Sequence, residues 1–468
     1  MKKAVILFLV SLLIILGTCV GAFAIRFYAV DNGKIALRGT SLVAVADVGY
    51  EFESWSSGET EESISIFPLK NLFKKPNFVY KTLDFPIISI STENSQSITS
   101  KEKYLNCTVS VSGTEYTLDE ATARIKGRGN STFAYDKKPY KIKFDEKTSL
   151  LGEAEAKEWT LIANHMDYSL MRNYLVYTVA ASLDGLKYTT SVSFADVYVN
   201  GEYRGLYTVC EQIEAGKNRV DIEDSLDVNE TGYLIELDSR APDEGVCDRD
   251  YFYSKAPTPP YAIKSPDTED EDFTADRVGF IKSYVDAAYD ALISGNYSEV
   301  EKYLDVKSFV DGYILDELFT PVDIGFSSFY MYKDSGGKLF RGPVWDYDLS
   351  SGNTESEMAE TPTAVYAGIA NAWYVGLLKY PEFRAALSER LDEKSEEISE
   401  IISSCFVFAE NHKKAFLRNF EMWDILGEYS MPYTSEEVCK IDTVSGQWEY
   451  LREWLAKSLQ YLNSQYSR

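Results

Sequence analysis

Short runs in which apolar and polar residues alternate extend from residue 25 to about residue 80, as in KIALRGTSLVAVADVGYEFESW. A period of two is typical of strands that are buried on one face only. This segment is therefore predicted to be a small all-β module.

From about residue 85 the pattern changes to a mixture of strands and helices. ATARIKGRGNSTFAYDKKPYKIKF predicts two strands around a Gly/Asn/Ser turn, and GYLIELD predicts another strand. FADVYVNGEYRGLYTVCEQI predicts a hairpin, because Asn200-Gly201 is a two-residue turn between alternating runs. Apolar residues recur at helical spacing from Asp167 to Gly185, which predicts an amphipathic helix.

The second half of the chain is predicted to be mainly helical. Residues 240–275 are rich in Asp, Glu and Pro and are expected to form a surface excursion. Helical patterns follow from 276 to 320, and one hairpin in FYMYKDSGGKLFRGPVWDYD precedes a largely helical remainder. The predicted fold class is α+β. A β-rich half with one helix, then a helical half with an acidic hairpin, is the layout of a remodelled two-lobed protein-kinase-like fold.

The first 24 residues read as a targeting segment. Two lysines precede an apolar run from Ala4 to about Val20, and the small residues AFA end at Ala24 as a cleavage site. The run is long for a signal and close to the lower limit of roughly 17 residues for a spanning helix. Residues 1–24 are expected to be a signal peptide or a membrane anchor. Both place the rest of the protein outside the cytoplasm.

Composition and charge exclude several classes of protein. A hydrophobic content of 45% with 34 tyrosines excludes a disordered chain. A net charge of −26 argues against nonspecific nucleic-acid binding. With two histidines and six widely spaced cysteines, neither a histidine-based metal site nor a zinc motif is expected. Carboxylates must therefore perform any acid–base chemistry.

Two aspartates stand one residue apart in GPVWDYDLSSGN, after a predicted strand. Phosphoryl transfer needs one carboxylate near the attacking hydroxyl and others that hold Mg²⁺ on the nucleotide. In protein kinases one Asp precedes a short hairpin and a metal-binding Asp closes it. Here Asp323 precedes the hairpin and Asp346 closes it. In extended backbone Asp348 shares a face with Asp346, so the two are predicted to bind one Mg²⁺. A turn or cap is the alternative role of such a pair.

A basic segment in the first half offers a complementary phosphate site. Its cations are Arg124, Lys126, Arg128, Lys137, Lys138, Lys141 and Lys143. Backbone amides of the Gly/Asn/Ser turn, together with such cations, can cradle a triphosphate. A solvated basic strand face is the alternative interpretation.

Several motifs in order carry a resemblance to a known family. From about residue 85 to the C-terminus, IKGRGNST, KKPYKIKF, SLMRNYLVY, VYVNGEYRGLYTVCEQI, GYLIELD and GPVWDYDLSSGN resemble the CotH family of spore-coat-protein-H-like atypical kinases. The resemblance implies a kinase domain over residues 85–468 that uses ATP with Mg²⁺ or Mn²⁺ to phosphorylate serines of secreted, cell-surface or spore-coat proteins. In residues 25–80, GYEFESW is similar to β-repeat modules of bacterial surface proteins.

The resemblance implies that Asp323 is catalytic and that Asp346 binds metal; Asp348 is expected to be a second metal ligand from its spacing alone. The residues expected to bind the nucleotide are Arg128, Asn130, Ser131, Lys138, Lys143, Arg172 and Glu211. For Glu211, an ion pair with Lys217 or Arg219 is the alternative.

The chain also departs from the kinase pattern. The position five residues after Asp323 is Ser328, where kinases use a metal-binding Asn, and the predicted helix from Asp167 contains no Glu for a Lys–Glu ion pair. Arg172 and Asn173 are expected to organise phosphates there instead. The competing function is a noncatalytic surface or spore-coat protein that keeps the fold for assembly or adhesion. The expected partner is a secreted or surface protein, without nucleic acid, and membrane attachment is expected through the N-terminal segment only.

Overall fold

The computed structural model describes residues 28–30, 33–38, 40–46, 50–80, 85–113, 116–427 and 431–466. These residues form two compact units. One contains the described residues up to 87 together with 112 and 113, and the other contains residues 88–111 and the described residues from 116 onwards. The predicted targeting segment, residues 1–24, lies outside the described residues.

The first unit is built from short antiparallel strands, as the alternating pattern predicts. The strands are β1 (Tyr28–Val30), β2 (Gly33–Arg38), β3 (Ser41–Ala46), β4 (Tyr50–Trp55), β5 (Ser63–Ser65) and β6 (Pro76–Tyr80). One sheet has the order β1-β2-β3-β5, and β4 pairs with β6. Ile35, Leu42, Ala44 and Trp55 form its core.

A closed barrel opens the second unit. Its strands are β7 (Ile87–Thr92), β8 (Leu105–Ser112), β9 (Leu118–Gly127), β10 (Tyr140–Thr148), β11 (Ala156–Ile162), β12 (Ser193–Val199) and β13 (Glu202–Glu211). Their order around the barrel is β10-β11-β13-β12-β7-β8-β9. The predicted turn between β12 and β13 is confirmed, because Val199 pairs with Glu202 and both Asn200 and Gly201 have positive φ (53° and 78°).

A second antiparallel sheet follows the barrel. Its strands are β14 (Tyr233–Leu237), β15 (Tyr251–Phe252), β16 (Tyr261–Ser265), β17 (Phe329–Lys333) and β18 (Phe340–Arg341), in the order β15-β16-β14-β17-β18. The prediction that residues 240–275 are a surface excursion is wrong for β16, which pairs with β14 and buries Tyr261. Its apolar run, YAI, is too short to stand out among the flanking acidic residues.

Helices make up most of the remainder. They are α1 (Arg172–Ala181), α2 (Ala241–Glu244), α3 (Ala275–Ile293), α4 (Tyr297–Tyr303), α5 (Val306–Phe319), α6 (Glu357–Glu360), α7 (Ala367–Ala370), α8 (Ala372–Leu377), α9 (Pro381–Asn411), α10 (Lys413–Met422), α11 (Glu436–Cys439) and α12 (Val444–Tyr466). The fold is therefore mixed α+β. In the part of the chain described here, no helix combines the length and apolar character needed to span a membrane.

Helix α1 is shorter than predicted. The sequence pattern placed its start at Asp167, but the Asp167 carboxylate accepts hydrogen bonds from the backbone N–H groups of Ser169 (3.0 Å) and Arg172 (2.8 Å). Leu170 between them has a φ of 57°. A side chain that binds nearby backbone donors favours a turn over a helix. The helix consequently begins at Arg172.

Candidate active site

Five loops of the second unit meet at one open cleft of about 380 Å³. They are the loops after β9 (residues 128–132) and β11 (162–166), the end of β14 (236–240), the loop before β17 (323–330), and the loop after β18 (345–349). The last of these, which carries Asp346 and Asp348, is called the acidic loop below. The cleft thus brings together residues that are far apart in the chain.

Asp323 enters the cleft from the loop that follows α5. The helix ends at Phe319 and is capped by Thr320, whose φ is 47°. The chain then turns so that the backbone carbonyl of Asp323 accepts hydrogen bonds from the N–H groups of Phe326 (2.8 Å) and Ser327 (2.9 Å). Burial, and after it the nearby Asp346 carboxylate, raise the pKa of Asp323 to about 6 against the opposing effect of Arg240. Asp323 is thus a carboxyl group with the increased basicity that a proton acceptor needs.

The acidic loop does not have the extended geometry that the sequence suggested. Strand β18 ends at Arg341, and Asp346 has a φ of 69°, so strict alternation of side chains is lost. Asp346 and Asp348 nevertheless both line the cleft. Left-handed backbone at a residue other than glycine is strained and concentrates at functional sites. Two other residues of the cleft, Asn164 and Ser328, share this conformation.

Burial is the main cause of the raised pKa values in the acidic loop, and repulsion between carboxylates adds to the rise at Asp348. Its protein surroundings raise the pKa of Asp346, whose side chain still meets solvent at the cleft, while Arg128 opposes the rise and Ser328 Oγ donates a hydrogen bond to Asp346 Oδ2 (3.4 Å). The pKa of Asp348 is raised well above its usual value by burial and then by Asp346. Carboxylates that repel one another favour a bound cation.

Arg172 and Asn173 bind backbone groups of the acidic loop and of the two serines that follow it. The prediction that they organise phosphates is therefore corrected. The Arg172 side chain is fully buried, and its guanidinium pairs with Asp167 (Nη1 to Oδ1, 2.6 Å). It also donates to the carbonyls of Ser350 (Nε, 2.8 Å) and Ser351 (Nη2, 3.2 Å). Asn173 Oδ1 accepts the backbone N–H of Tyr347 at 2.9 Å. A buried arginine with these partners cannot reach a ligand in the cleft, so its assignment to the nucleotide is corrected.

The loop after β9 also lines the cleft. Arg128 donates its backbone N–H to the carbonyl of Pro139 (3.1 Å), and its guanidinium lies over the Trp345 ring, 5.3 Å from the centroid. Asn130 and Ser131 are exposed and line the cleft with it. Three residues of the predicted nucleotide set therefore line the same cleft as Asp323 and the acidic loop, and Arg128 contacts that loop at Trp345.

The remaining predicted nucleotide residues lie outside the described lining of this cleft. Lys138 Nζ donates to the carbonyl of Phe133 (2.9 Å), and Lys143 Nζ pairs with Glu158 (2.7 Å) on the outer face of the barrel. Both lysines are corrected for the same reason, because each ammonium group has a partner elsewhere.

Glu211 lines a separate pocket. It accepts hydrogen bonds from the backbone N–H and hydroxyl of Ser191 (2.5 and 2.6 Å) and pairs with Arg219 at 3.4 Å. The ion pair with Arg219 was the alternative that the sequence left open.

Two residues of the cleft, Glu236 and His165, were not identified from the sequence. Glu236 is a buried carboxyl in β14 that pairs with Lys264 (2.8 Å), and burial raises its pKa against the effect of Lys264. The signal was an acidic residue inside the apolar run YLIEL, since a buried carboxylate requires a partner. His165 lies at the cleft with its Nδ1 unpartnered among the described residues, and burial lowers its pKa to about 4. A neutral imidazole therefore faces the cleft at physiological pH.

The donor set fits a divalent cation that binds together with a nucleotide. Among the described residues, no group of three or more His, Cys, Asp or Glu side chains is arranged to hold a metal by itself. Mg²⁺, however, usually binds one or two carboxylates and takes its other oxygens from water and substrate phosphates. Asp346 and Asp348, which line the cleft together with Arg128, match that requirement.

A comparison with protein families identifies one match. A family model described as CotH kinase protein matches residues 125–462. The matched range includes every residue named above as lining the cleft. No curated protein matches the chain.

Proposed function

The chain belongs to the CotH kinase family, and we propose that it is an atypical protein kinase that transfers phosphate from ATP, with Mg²⁺ or Mn²⁺, to serines of exported proteins. The observation that carries this proposal is the meeting of Asp323, Asp346 and Asp348 with the Arg128 loop in one cleft. A carboxylate for the acceptor, carboxylates for metal and a cationic loop for phosphate are the parts that phosphoryl transfer uses.

In this proposal the second unit is a remodelled, two-lobed kinase fold. The barrel with its β9–β10 loop takes the place of the amino-terminal lobe, and the β14–β18 sheet with the helices takes the place of the carboxyl-terminal lobe. The order of the parts supports this reading. Asp323 precedes the β17–β18 hairpin and Asp346 follows it, as the two aspartates of protein kinases do.

Six residues of the cleft have tasks in the proposed reaction. Asp323 orients the acceptor serine and accepts its proton as the serine oxygen bonds to the γ-phosphorus; the bond from that phosphorus to the β–γ bridging oxygen breaks, and ADP leaves. The proton passes from Asp323 to solvent. Asp346 and Asp348 hold the cation, which when bound neutralises charge on the phosphate oxygens. Arg128 binds the phosphates, with Asn130 and Ser131 of the same loop beside it.

The acceptor is proposed to be a secreted, cell-surface or spore-coat protein. Support comes from the sequence of residues 1–24, which has the pattern of an export signal or anchor. A net charge of −26 disfavours a nucleic-acid partner. The GYEFESW motif of the first unit also fits a protein that works at a cell surface.

Ligand-dependent stability separates the kinase from a noncatalytic surface protein with the same fold. A ligand at 100 times its dissociation constant adds about 2.7 kcal/mol of stability. ATP with Mg²⁺ should therefore raise the melting temperature, whereas ATP with a chelator should not. Asp346→Asn should abolish the metal-dependent rise in melting temperature, because an amide offers one neutral oxygen in place of a carboxylate. An unchanged melting temperature of the wild type in Mg-ATP would favour the noncatalytic alternative.

A further inference from the structure

A buried polar cluster lies directly beneath the acidic loop. At its centre is Asp316 of α5, which pairs with the Arg341 guanidinium (Nη2 to both carboxylate oxygens, 3.2 Å; Nε to Oδ2, 3.3 Å). The Tyr374 hydroxyl donates to Asp316 Oδ2 at 2.6 Å, and the Tyr347 hydroxyl donates to Oδ1. All four side chains are buried or nearly so, and they are called the Asp316 cluster below.

The backbone leaves room for this cluster at one glycine. Gly312 lies one helical turn before Asp316, and a Cβ added there would come within 2.6 Å of Arg341 Cγ and 2.9 Å of the Tyr374 hydroxyl. Both approaches are closer than packed atoms tolerate. The Asp316 cluster therefore depends on the absence of a side chain at position 312 of α5.

Two members of the cluster belong to the segment that carries the proposed metal ligands. Arg341 ends β18, and Tyr347 lies between Asp346 and Asp348. Tyr347 is held at both ends, since its hydroxyl donates to Asp316 while its backbone N–H donates to Asn173 Oδ1 at 2.9 Å. No other residue of the described acidic loop has both a side-chain and a backbone anchor of this kind to buried polar groups.

A buried ion pair of this type contributes little to stability compared with apolar packing, and the best-attested use of such groups is to fix one arrangement among several. The arrangement fixed here is that of Tyr347, and therefore of the carboxylates on either side of it. A metal site needs such a restraint, because residues that contact the metal ligands fix the orientation of those ligands and tune the affinity for the metal.

We infer that Asp316 is a positioning residue that acts through the Tyr347 hydroxyl to hold Asp346 and Asp348 at the spacing that a divalent cation requires. The inference rests on the proposed function for the location of the cation. It adds that affinity for the cation is set by a carboxylate on α5 that does not line the cleft.

The cluster supplies its own matched control. Tyr347 and Tyr374 are both buried tyrosines whose hydroxyls donate to Asp316, but Tyr374 belongs to α8 and not to the acidic loop. Removal of either hydroxyl takes one donor from the same carboxylate. Only removal of the Tyr347 hydroxyl releases the loop.

The test compares Tyr347→Phe with Tyr374→Phe in the full chain by calorimetry with Mn²⁺ and a nonhydrolysable ATP analogue. Both variants should lose a similar amount of melting temperature. Tyr347→Phe should lose at least tenfold in affinity for the Mn²⁺ complex while its affinity for the metal-free analogue stays within twofold of wild type. Tyr374→Phe should stay within twofold of wild type for both. Bound Mn²⁺ should also give a broader electron paramagnetic resonance spectrum in Tyr347→Phe.

If Tyr347→Phe folds poorly, Asn173→Ser provides a second test, because it removes the acceptor of the Tyr347 N–H. This variant should show the same loss of affinity for the Mn²⁺ complex, without a loss of affinity for the metal-free analogue. Equal losses in the two tyrosine variants, or a loss that is the same with and without metal, would overturn the inference and leave the proposed function standing. If the wild type binds the ATP analogue neither with nor without Mn²⁺, both the inference and the proposed function are wrong.

Discussion

At the residue scale, the carboxyl groups of Asp323, Asp346 and Asp348 share one cleft with few opposing charges. Burial raises the pKa of each, and their mutual repulsion adds to the rise for Asp323 and Asp348. Arg128 and Arg240 oppose the shift at Asp346. Protons and cations therefore compete for the same carboxylate oxygens in this cleft.

This competition predicts how metal binding depends on pH. A carboxyl whose folded pKa is raised stabilises the fold below its usual pKa, 3.8 for Asp, and that contribution is lost as pH rises through the folded value, about 6 for Asp323. A cation should restore it. The increase in melting temperature caused by Mn²⁺ with ADP should therefore be large at pH 7.5 and small at pH 5. An equal increase at both pH values, or one that persists in Asp346→Asn, would show that the cation binds elsewhere.

Arg172 provides a test of a structural role against a binding role. Removal of one partner from a buried ion pair typically costs about 3–5 kcal/mol. Arg172→Ala should therefore lower the free energy of unfolding in urea by that amount, because Asp167 and two loop carbonyls lose their donor. The exposed Arg124→Ala serves as control and should change stability by no more than about 0.5 kcal/mol. Normal stability with weakened ATP affinity in Arg172→Ala would reinstate the nucleotide assignment.

At the element scale, the β9–β10 hairpin contains cations of two kinds. Arg128 faces the cleft, whereas Lys143 pairs with Glu158 on the outside of the barrel. Hydrogen bonds to charged groups contribute about 1.5–3 kcal/mol, or about 10- to 100-fold in affinity. Arg128→Ala should therefore weaken Mg-ATP binding to that extent in calorimetry, and Lys143→Met should leave it within twofold. The reverse order would move the phosphate site to the outer face of the barrel.

Periodicity predicted the elements better than it predicted their ends. The β12–β13 hairpin, the strands on either side of the Arg128 loop and the helices between 276 and 320 follow from local patterns of apolar residues. The start of α1 could not be predicted in this way, because it depends on the hydrogen bonds that the Asp167 side chain accepts. The shape of the acidic loop could not be predicted either, since β18 has already ended and Asp346 has a left-handed backbone.

At the scale of the whole molecule, the cleft is assembled by contacts between distant segments. Arg128 and Asp348 are 220 residues apart (348 − 128) yet line the same space. Residue type and order identified Asp323, Asp346, Asp348 and Arg128 as candidates. Charge alone could not distinguish Arg128 from Lys138 or Lys143, because the difference depends on which way each strand turns its side chains and on partners such as Glu158.

The central claim is that this cleft transfers phosphate, and phosphate transfer measured beside nucleotide binding tests it most directly. Wild type and Asp323→Asn would be incubated with γ-labelled ATP, Mn²⁺ and exported proteins of the host, and phosphoserine would be counted. Wild type should label a defined acceptor. Asp323→Asn should bind Mn-ATP normally and transfer about 10²- to 10⁴-fold more slowly, because it loses the group that accepts the acceptor proton. Equal transfer by both proteins, or no transfer by a wild type that binds Mn-ATP, would contradict the account.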